Sequence, residues 1–427
     1  MIIEFVVRNF RSIRDELRFS FVATKDKELS ETHLAKTGIP SIPNVVQSAV
    51  VFGANASGKS NLILGLAQLQ HLVVNSFTGF RPEQPLPFDP FMQSAAGQSG
   101  TTEFEITFVL NGVRHQYGFA FNMFHITEEW LHVYVNPKPQ IWFHREFDEL
   151  SGKDKYSYSQ HLKGDKDVWE NATRPNALFL STAAQHNSDG LMPIYRWFIE
   201  KLVVLPVGQA FTSDQTLGYL ADATKRNVVV RLMAIADVGI SDIQVDRQKG
   251  MFQEIKLKPD GSTEVTRGER EVLRPQFVHR SGDHMFKFDL HNESQGTQKL
   301  FNLTGPIFDI LQHGKTLVVD ELDGSLHPLL VRRIVEMFHD NELNMQGAQL
   351  LFTTHDTSLL DAPNLLRRDQ VWLTEKSADH ATVLTPLTEF SPRKGEALER
   401  GYLMGRYGAV PMLGSFSSAL KKSAEHS

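Results

Sequence analysis

The chain has 427 residues, enough for two or three domains, and its 41% hydrophobic and 22% charged side chains are ordinary for a globular protein. A net charge of −6 argues against a general nucleic-acid coat, and the lack of cysteine excludes disulfides, thiolate metal sites and thiol nucleophiles. No apolar run reaches the roughly 18 residues of a membrane helix, and Met1 to Val7 lacks a signal peptide's basic start, so a cytoplasmic location without membrane contact is expected. The 17 histidines show no close ligand spacing, so no zinc site is expected.

Residues 2–7 and 17–22 alternate like two antiparallel strands. Arg8 to Arg14 between them reads equally as a charged hairpin turn or as a basic loop beside a nucleotide, with Arg11 as the candidate contact. A polar connector follows from Lys25 to Pro43, and then the stretch on which the chain turns. Ser48 to Phe52 reads as a buried strand, Asn61 opens a helix running to about Asn75, and Gly53-Ala54-Asn55-Ala56-Ser57-Gly58-Lys59-Ser60 lies between. This satisfies the phosphate-binding pattern G-x-x-x-x-G-K-[ST]. Gly53 and Gly58 permit backbone angles that side chains forbid, so that loop amides and a helix N-terminus converge on phosphate oxygens. Lys59 is expected to reach the terminal phosphates and Ser60 to ligate Mg²⁺, which makes ATP with Mg²⁺ the expected ligand.

A Pro-rich irregular stretch (80–91) precedes a β-rich block. Strands at 104–110 and 114–121 flank Asn111-Gly112, a strong hairpin signal, and two more are expected near 126–135 and 140–147. Residues 148–176 read as loosely structured. Asn176 to Gln185 leads into a helix ending near Phe198, and Leu202 to Leu205 is a strand. Residues 215–238 have helical periodicity, with Val228, Leu232, Ile235 and Ala236 on one side, and a hairpin turns at Pro259-Asp260-Gly261. There is no heptad run, internal repeat or low-complexity tract.

The last third carries three signals. Glu293 to Leu300 opens a helix to about His313, with Ser294 and Gly296 at its start; this is an anion site by the same dipole logic, or a common N-cap. Thr316 to Val319 is a buried strand ending in Asp320 and Glu321, carboxylates costly to bury without a cation; Asp320 suits Mg²⁺ and Glu321 a general base for attacking water. Gln349 to Thr354 is another buried strand ending at His355, which could bond a γ-phosphate or that water. A strand–turn–strand pattern (370–373, 382–384) and a short charged helix near 394–401 close the chain.

With these elements in this order, the chain resembles the ABC-type ATPase heads of the SMC, RecF and OLD group. The resemblance implies an α/β P-loop NTPase head, a mixed or parallel sheet flanked by helices with an N-terminal antiparallel β subdomain and inserted segments. Gly53 to Ser60 match Walker A, Ser294 and Gly296 the signature, Asp320 and Glu321 Walker B, Leu322 to His327 with Asp323 and Ser325 the D-loop, and His355 the switch histidine. Gln185 is the candidate Q-loop residue. Gln295 replaces the usual signature glycine, which implies slow turnover. More closely, Asn9-Phe10-Arg11-Ser12, the signature and D-loop segments and the tail Tyr402 to Pro411 resemble the RloA-like, AbiL-like and PARIS-type ATPases of bacterial anti-phage loci.

That resemblance implies a homodimer with ATP at the interface, open to higher assembly, acting as sensor and scaffold for a separate effector, expected to be a nuclease. The competing reading is a RecF- or SMC-like head that binds DNA in repair; the absence of coiled coil disfavours SMC. No acid cluster resembles the nuclease domain of OLD proteins, so no intrinsic nuclease is expected. The expected division is 1–75 and 281–390 as halves of the ATPase domain, 76–280 as an insertion (β-rich 104–147, helical 185–240, hairpin 250–280), and 391–427 as a tail.

Overall fold

The computed structural model describes residues 1–135, 138–236, 239–257, 263–324, 326–393 and 395–410. They form two units: residues 1–207, 313–322 and those from 332 on, and residues 208–312 with 323–331.

In the first unit, β1 (Ile2–Arg8) and β2 (Leu17–Ser20) pair antiparallel; β2 stops short of the expected Val22, which instead makes an isolated bridge to Val45. The expected polar connector holds a hairpin, β3 (Leu34–Ile39) and β4 (Ile42–Val46), whose register shifts around Gly38, so its short alternation is broken in the sequence. β5 (Ser48–Gly53) is buried throughout and leads to α1 (Lys59–Asn75). After α2 (Ala95–Ser99), β6 (Thr102–Leu110) and β7 (Val113–Phe121) meet at Asn111 and Gly112, whose φ values of 52° and 74° suit a tight hairpin. β8 (Ile126–Tyr134) and β9 (Gln140–Asp148) follow as expected.

Residues 148–176 are ordered into β10 (Lys153–Tyr158) and α3 (Lys166–Ala172). β10 reads as polar, yet its alternate Tyr156 and Tyr158 rings lie 5.5 and 5.7 Å from Phe179. The single helix expected to Phe198 is two, α4 (Phe179–Gln185) and α5 (Met192–Glu200), broken where Asn187 takes φ 59°. β11 (Leu202–Leu205) comes next.

The second unit begins with α6 (Asp214–Ala221) and α7 (Ala223–Ala236), where one helix was expected; the break falls at Asp222. Among the described side chains of α7, Val229 and Met233 are buried while the expected Val228 is exposed and Leu232 half-buried; the side chains of Ile235 and Ala236 lie outside the described residues. β12 (Ile240–Leu257), β13 (Thr263–Ser281) and β14 (His284–Asp289) form an antiparallel sheet; its first arm begins earlier than the expected hairpin of 250–280, its second ends at Ser281, and the expected turn at 259–261 lies outside the described residues. α8 (Gln295–His313) contains Pro306, and the Thr216 hydroxyl enters its ladder beside it. That hydroxyl accepts from Gly305 N at 2.9 Å and donates to Phe301 O at 2.7 Å, a pair an uninterrupted helix would bond directly.

Returning to the first unit come β15 (Thr316–Val319), α9 (Pro328–His339, which starts in the second), β16 (Gln349–Thr353), β17 (Val371–Lys376) and β18 (Thr382–Pro386). α10 (Leu398–Leu403) lies two to four residues later than the expected charged helix. Two sheets organise the unit. The first, β10-β9-β8-β7-β6-β1-β2, is antiparallel throughout, so residues 102–158, expected within an insertion, extend the N-terminal pair. The second, β11-β15-β16-β5-β17-β18, is parallel except for β18.

Phe5, Phe104 and Phe108 of the first sheet, Leu66 and Leu69 of α1, and Phe198 of α5 share one buried core. Deep in it, the Glu129 carboxylate accepts from the amides of Phe179 and Leu180 at 2.6 and 2.9 Å, capping α4. No described helix is long and apolar enough to cross a membrane.

Candidate nucleotide site

A parallel sheet brings the C-terminal ends of its strands to one edge, where loops form clefts. Pairing of Val319 with Phe352, of Thr353 with Val51, and of Gly53 with Thr374 lines up the ends of β15, β16, β5 and β17. The expected chemistry collects there. Ala54 to Asn61, Ser12, Glu321 and His355 line a cavity of about 530 Å³.

The loop is held in shape from within and behind. Ala56 takes φ 64° and Gly58 φ 111°. Lys59 Nζ donates to the carbonyls of Gly53 and Ala54 at 2.7 and 3.2 Å, curling over the loop. Behind it, Ser57 Oγ meets Thr374 Oγ1 at 2.6 Å, and Thr382 Oγ1 donates to Ser57 O at 2.8 Å. The glycines are needed for this approach: a Cβ on Gly53 would lie 2.2 Å from Thr374 Oγ1, and one on Gly58 2.0 Å from Thr382 Oγ1. Neither threonine stands out in the sequence, because its role depends on strand pairing.

Across the cavity, Glu321 has φ 54°, a left-handed angle uncommon for a residue with a side chain. Its amide donates to Thr353 Oγ1 at 2.7 Å, and the same hydroxyl donates to Asp320 Oδ1 at 2.6 Å. One threonine thus fixes both acids, a part the sequence did not single out. Glu321 Oε1 stands 3.8 Å from His355 Nε2, within ion-pair range but beyond a direct hydrogen bond. Both side chains are half exposed toward the cavity.

Asp320 fits the expected metal role. Its Oδ2 is buried without a hydrogen-bond partner, and an orphaned buried carboxylate oxygen is costly unless a cation meets it. Asp320 and Ser60 would hold Mg²⁺, which supplies charge neutralisation at phosphate oxygens. Among the described residues no cluster of three or more His, Asp or Glu side chains offers an all-protein cage. Mg²⁺ seldom needs one, since it usually retains waters and substrate phosphates.

Two expected contacts are placed elsewhere. Arg11 Nε bonds Asp89 Oδ2 at 2.7 Å, and its amide donates to Asp89 O, so the turn gives the cavity Ser12 instead. Ser12 Oγ accepts from Asn61 Nδ2 at 2.6 Å and meets Thr382 Oγ1 at 2.7 Å. Gln185 ends α4 and donates to Tyr195 OH, which bonds Val74 O at the far end of α1. With α1 running about 1.5 Å per residue, this is more than 20 Å from the loop, and Gln185 is no cavity residue.

In the second unit, Ser294 Oγ accepts from Thr297 N at 3.1 Å, so Ser294 caps α8 with Gly296 in the first turn. Lys299 Nζ donates to Gly324 O, tying the helix to the segment that carries Asp323. Ser325 lies outside the described residues.

Residues 48–361 match the family described as "AAA domain, putative AbiEii toxin, Type IV TA system". No curated protein matches significantly. Among solved structures, an SMC head bound to the C-terminal winged-helix domain of ScpA is similar at 12% identity and a TM-score of 0.41, over 90% of this chain and 96% of that one. The di-domain aromatase/cyclase StfQ of the steffimycin pathway aligns at 14% identity and a TM-score of 0.12, over 55% and 80%.

Proposed function

The chain belongs to this AAA-domain family, and we propose that it is a Mg²⁺-dependent ATPase of ABC type, working as sensor and scaffold in an anti-phage defence system. The observation that carries the ATPase reading is the convergence of the phosphate loop, Glu321 and His355 on one cavity beside the orphaned Asp320 Oδ2. Loop amides and Lys59 bind the terminal phosphates. Glu321 takes the proton of the attacking water, and His355 orients that water or the γ-phosphate. Residues 1–75 and 281–390 act together as the ATPase domain, with Ser294, Gly296 and Asp323 serving the nucleotide of a second copy. ATP then closes a twofold homodimer and hydrolysis opens it, holding or releasing a separate effector, in our reading a nuclease. The family description names a toxin of a toxin–antitoxin system, which supports defence over DNA repair.

The test is ATP binding and turnover in Mg²⁺. Lys59→Ala should lose binding. Glu321→Gln should bind ATP and hydrolyse it about 10²–10⁴-fold more slowly. Wild-type turnover in either variant refutes the assigned roles.

A further inference from the structure

One segment of the chain takes no part in phosphate binding yet touches three points behind the cavity. It is 396–410, which carries α10 and most of the Tyr402 to Pro411 motif. Tyr402 is buried, with its ring 5.9 Å from Phe52, the residue before Gly53. Ala409 N donates to Glu375, the neighbour of the Thr374 that grips Ser57, and Tyr402 OH donates to Ala409 O at 3.1 Å, closing the segment on itself. Gly408, at φ 66°, lies so near Glu375 that a Cβ would fall 2.4 Å from its Oε2.

The third point is the loop after His355. Thr357 Oγ1 donates to Glu399 Oε1 of α10 at 2.7 Å. Ser358 beside it is held by Arg332 and Asp356, and Leu398 N caps α10 onto Asp361 at 2.7 Å. Glu399 thus holds a backbone turn whose first residues follow His355 directly. A histidine that lines the cavity from a loop needs that loop fixed.

Resting on the ATPase reading above, we propose that segment 396–410 is an intrinsic clamp in which Glu399, through Thr357, is a positioning residue for His355. The Glu399–Thr357 bond fixes the turn, the turn sets the imidazole against Glu321, and Tyr402 ties the same segment to the root of the phosphate loop. Displacing α10 therefore slows the chemical step while ATP stays bound.

The experiment compares Glu399→Ala, Thr357→Val, their double mutant and Glu399→Gln in the full chain, measuring kcat, KM and fluorescent ATP-analogue affinity. Each single truncation should lower kcat about five- to tenfold, the size of one lost hydrogen bond, with KM and affinity unchanged. The double mutant should match the singles, because both remove one interaction. Glu399→Gln keeps the acceptor and should stay within about twofold of wild type. Unchanged kcat in both singles, losses that multiply in the double mutant, a Glu399→Gln as slow as Glu399→Ala, or a fall in affinity equal to the fall in kcat each overturns the clamp. A wild-type chain that neither binds nor hydrolyses ATP overturns the ATPase reading as well, which keeps the two failures apart.

Discussion

The Thr353 hydroxyl donates to Asp320 Oδ1 at 2.6 Å and leaves Asp320 Oδ2 buried without a partner. The threonine thus orients the carboxylate, so that the remaining oxygen is the one offered to a cation. Thr353→Val keeps the shape of the side chain and removes the hydroxyl. It should weaken the Mg²⁺ dependence of turnover about 10–100-fold, the usual cost of losing an outer-shell partner. Mg²⁺ titration of ATPase rate reads this directly, and a wild-type half-saturation point would contradict it.

Gly58 makes a steric prediction. At φ 111°, with Thr382 Oγ1 in the space a Cβ would fill, Gly58→Ala must shift the loop from β18. ATP-analogue binding should fall to that of Lys59→Ala, while the far-ultraviolet circular dichroism stays unchanged. Equal binding by Gly58→Ala and wild type would show that the loop relaxes freely.

His33 and His339 stack with ring centroids 3.7 Å apart. His339 Nε2 lies 2.8 Å from Ser48 Oγ and 3.2 Å from Gln370 Nε2 in the buried interior. Burial, reinforced by His33, holds His339 well below the usual imidazole range, and burial also lowers His33. Both are therefore harder to protonate in the folded chain, and the unfolded chain binds more protons below about pH 6.5. Their contribution is complete above that pH and is lost as pH falls through the lowered folded values, at up to about 1.4 kcal/mol per pH unit for each proton. Thermal unfolding between pH 8 and 5 should show the loss, and His339→Gln should flatten it. An unchanged slope in that variant would assign the acid sensitivity elsewhere.

Complementation tests the shared site. Lys59→Ala and Ser294→Arg should each be inactive alone. On the proposed twofold dimer, mixing them should give a heterodimer in which one composite site keeps both intact elements, so ATPase should return in part. Normal turnover by Ser294→Arg in isolation would rule out a role for the signature in trans.

The local patterns were legible because short-range physics writes them. The glycine spacing of the phosphate loop, the Asn111-Gly112 turn and the apolar runs ending at Asp320 and His355 each express a backbone or burial constraint within a few residues. β10 was missed because alternate tyrosines among charged residues look polar until Phe179 covers them, and the helix breaks at Asn187 and Asp222 hide in otherwise continuous periodicity. Only tertiary structure decided the rest. Thr353, Thr374 and Thr382 matter because strand register sets their hydroxyls against acids and loop carbonyls far away in the chain. Arg11 yields the cavity to Ser12 because Asp89, 78 residues on, claims its guanidinium, and Gln185 fails because α1 separates it from the loop by its whole length. Residue type and spacing determine what chemistry a segment can offer, but pairing across the sheet determines which side chains arrive together.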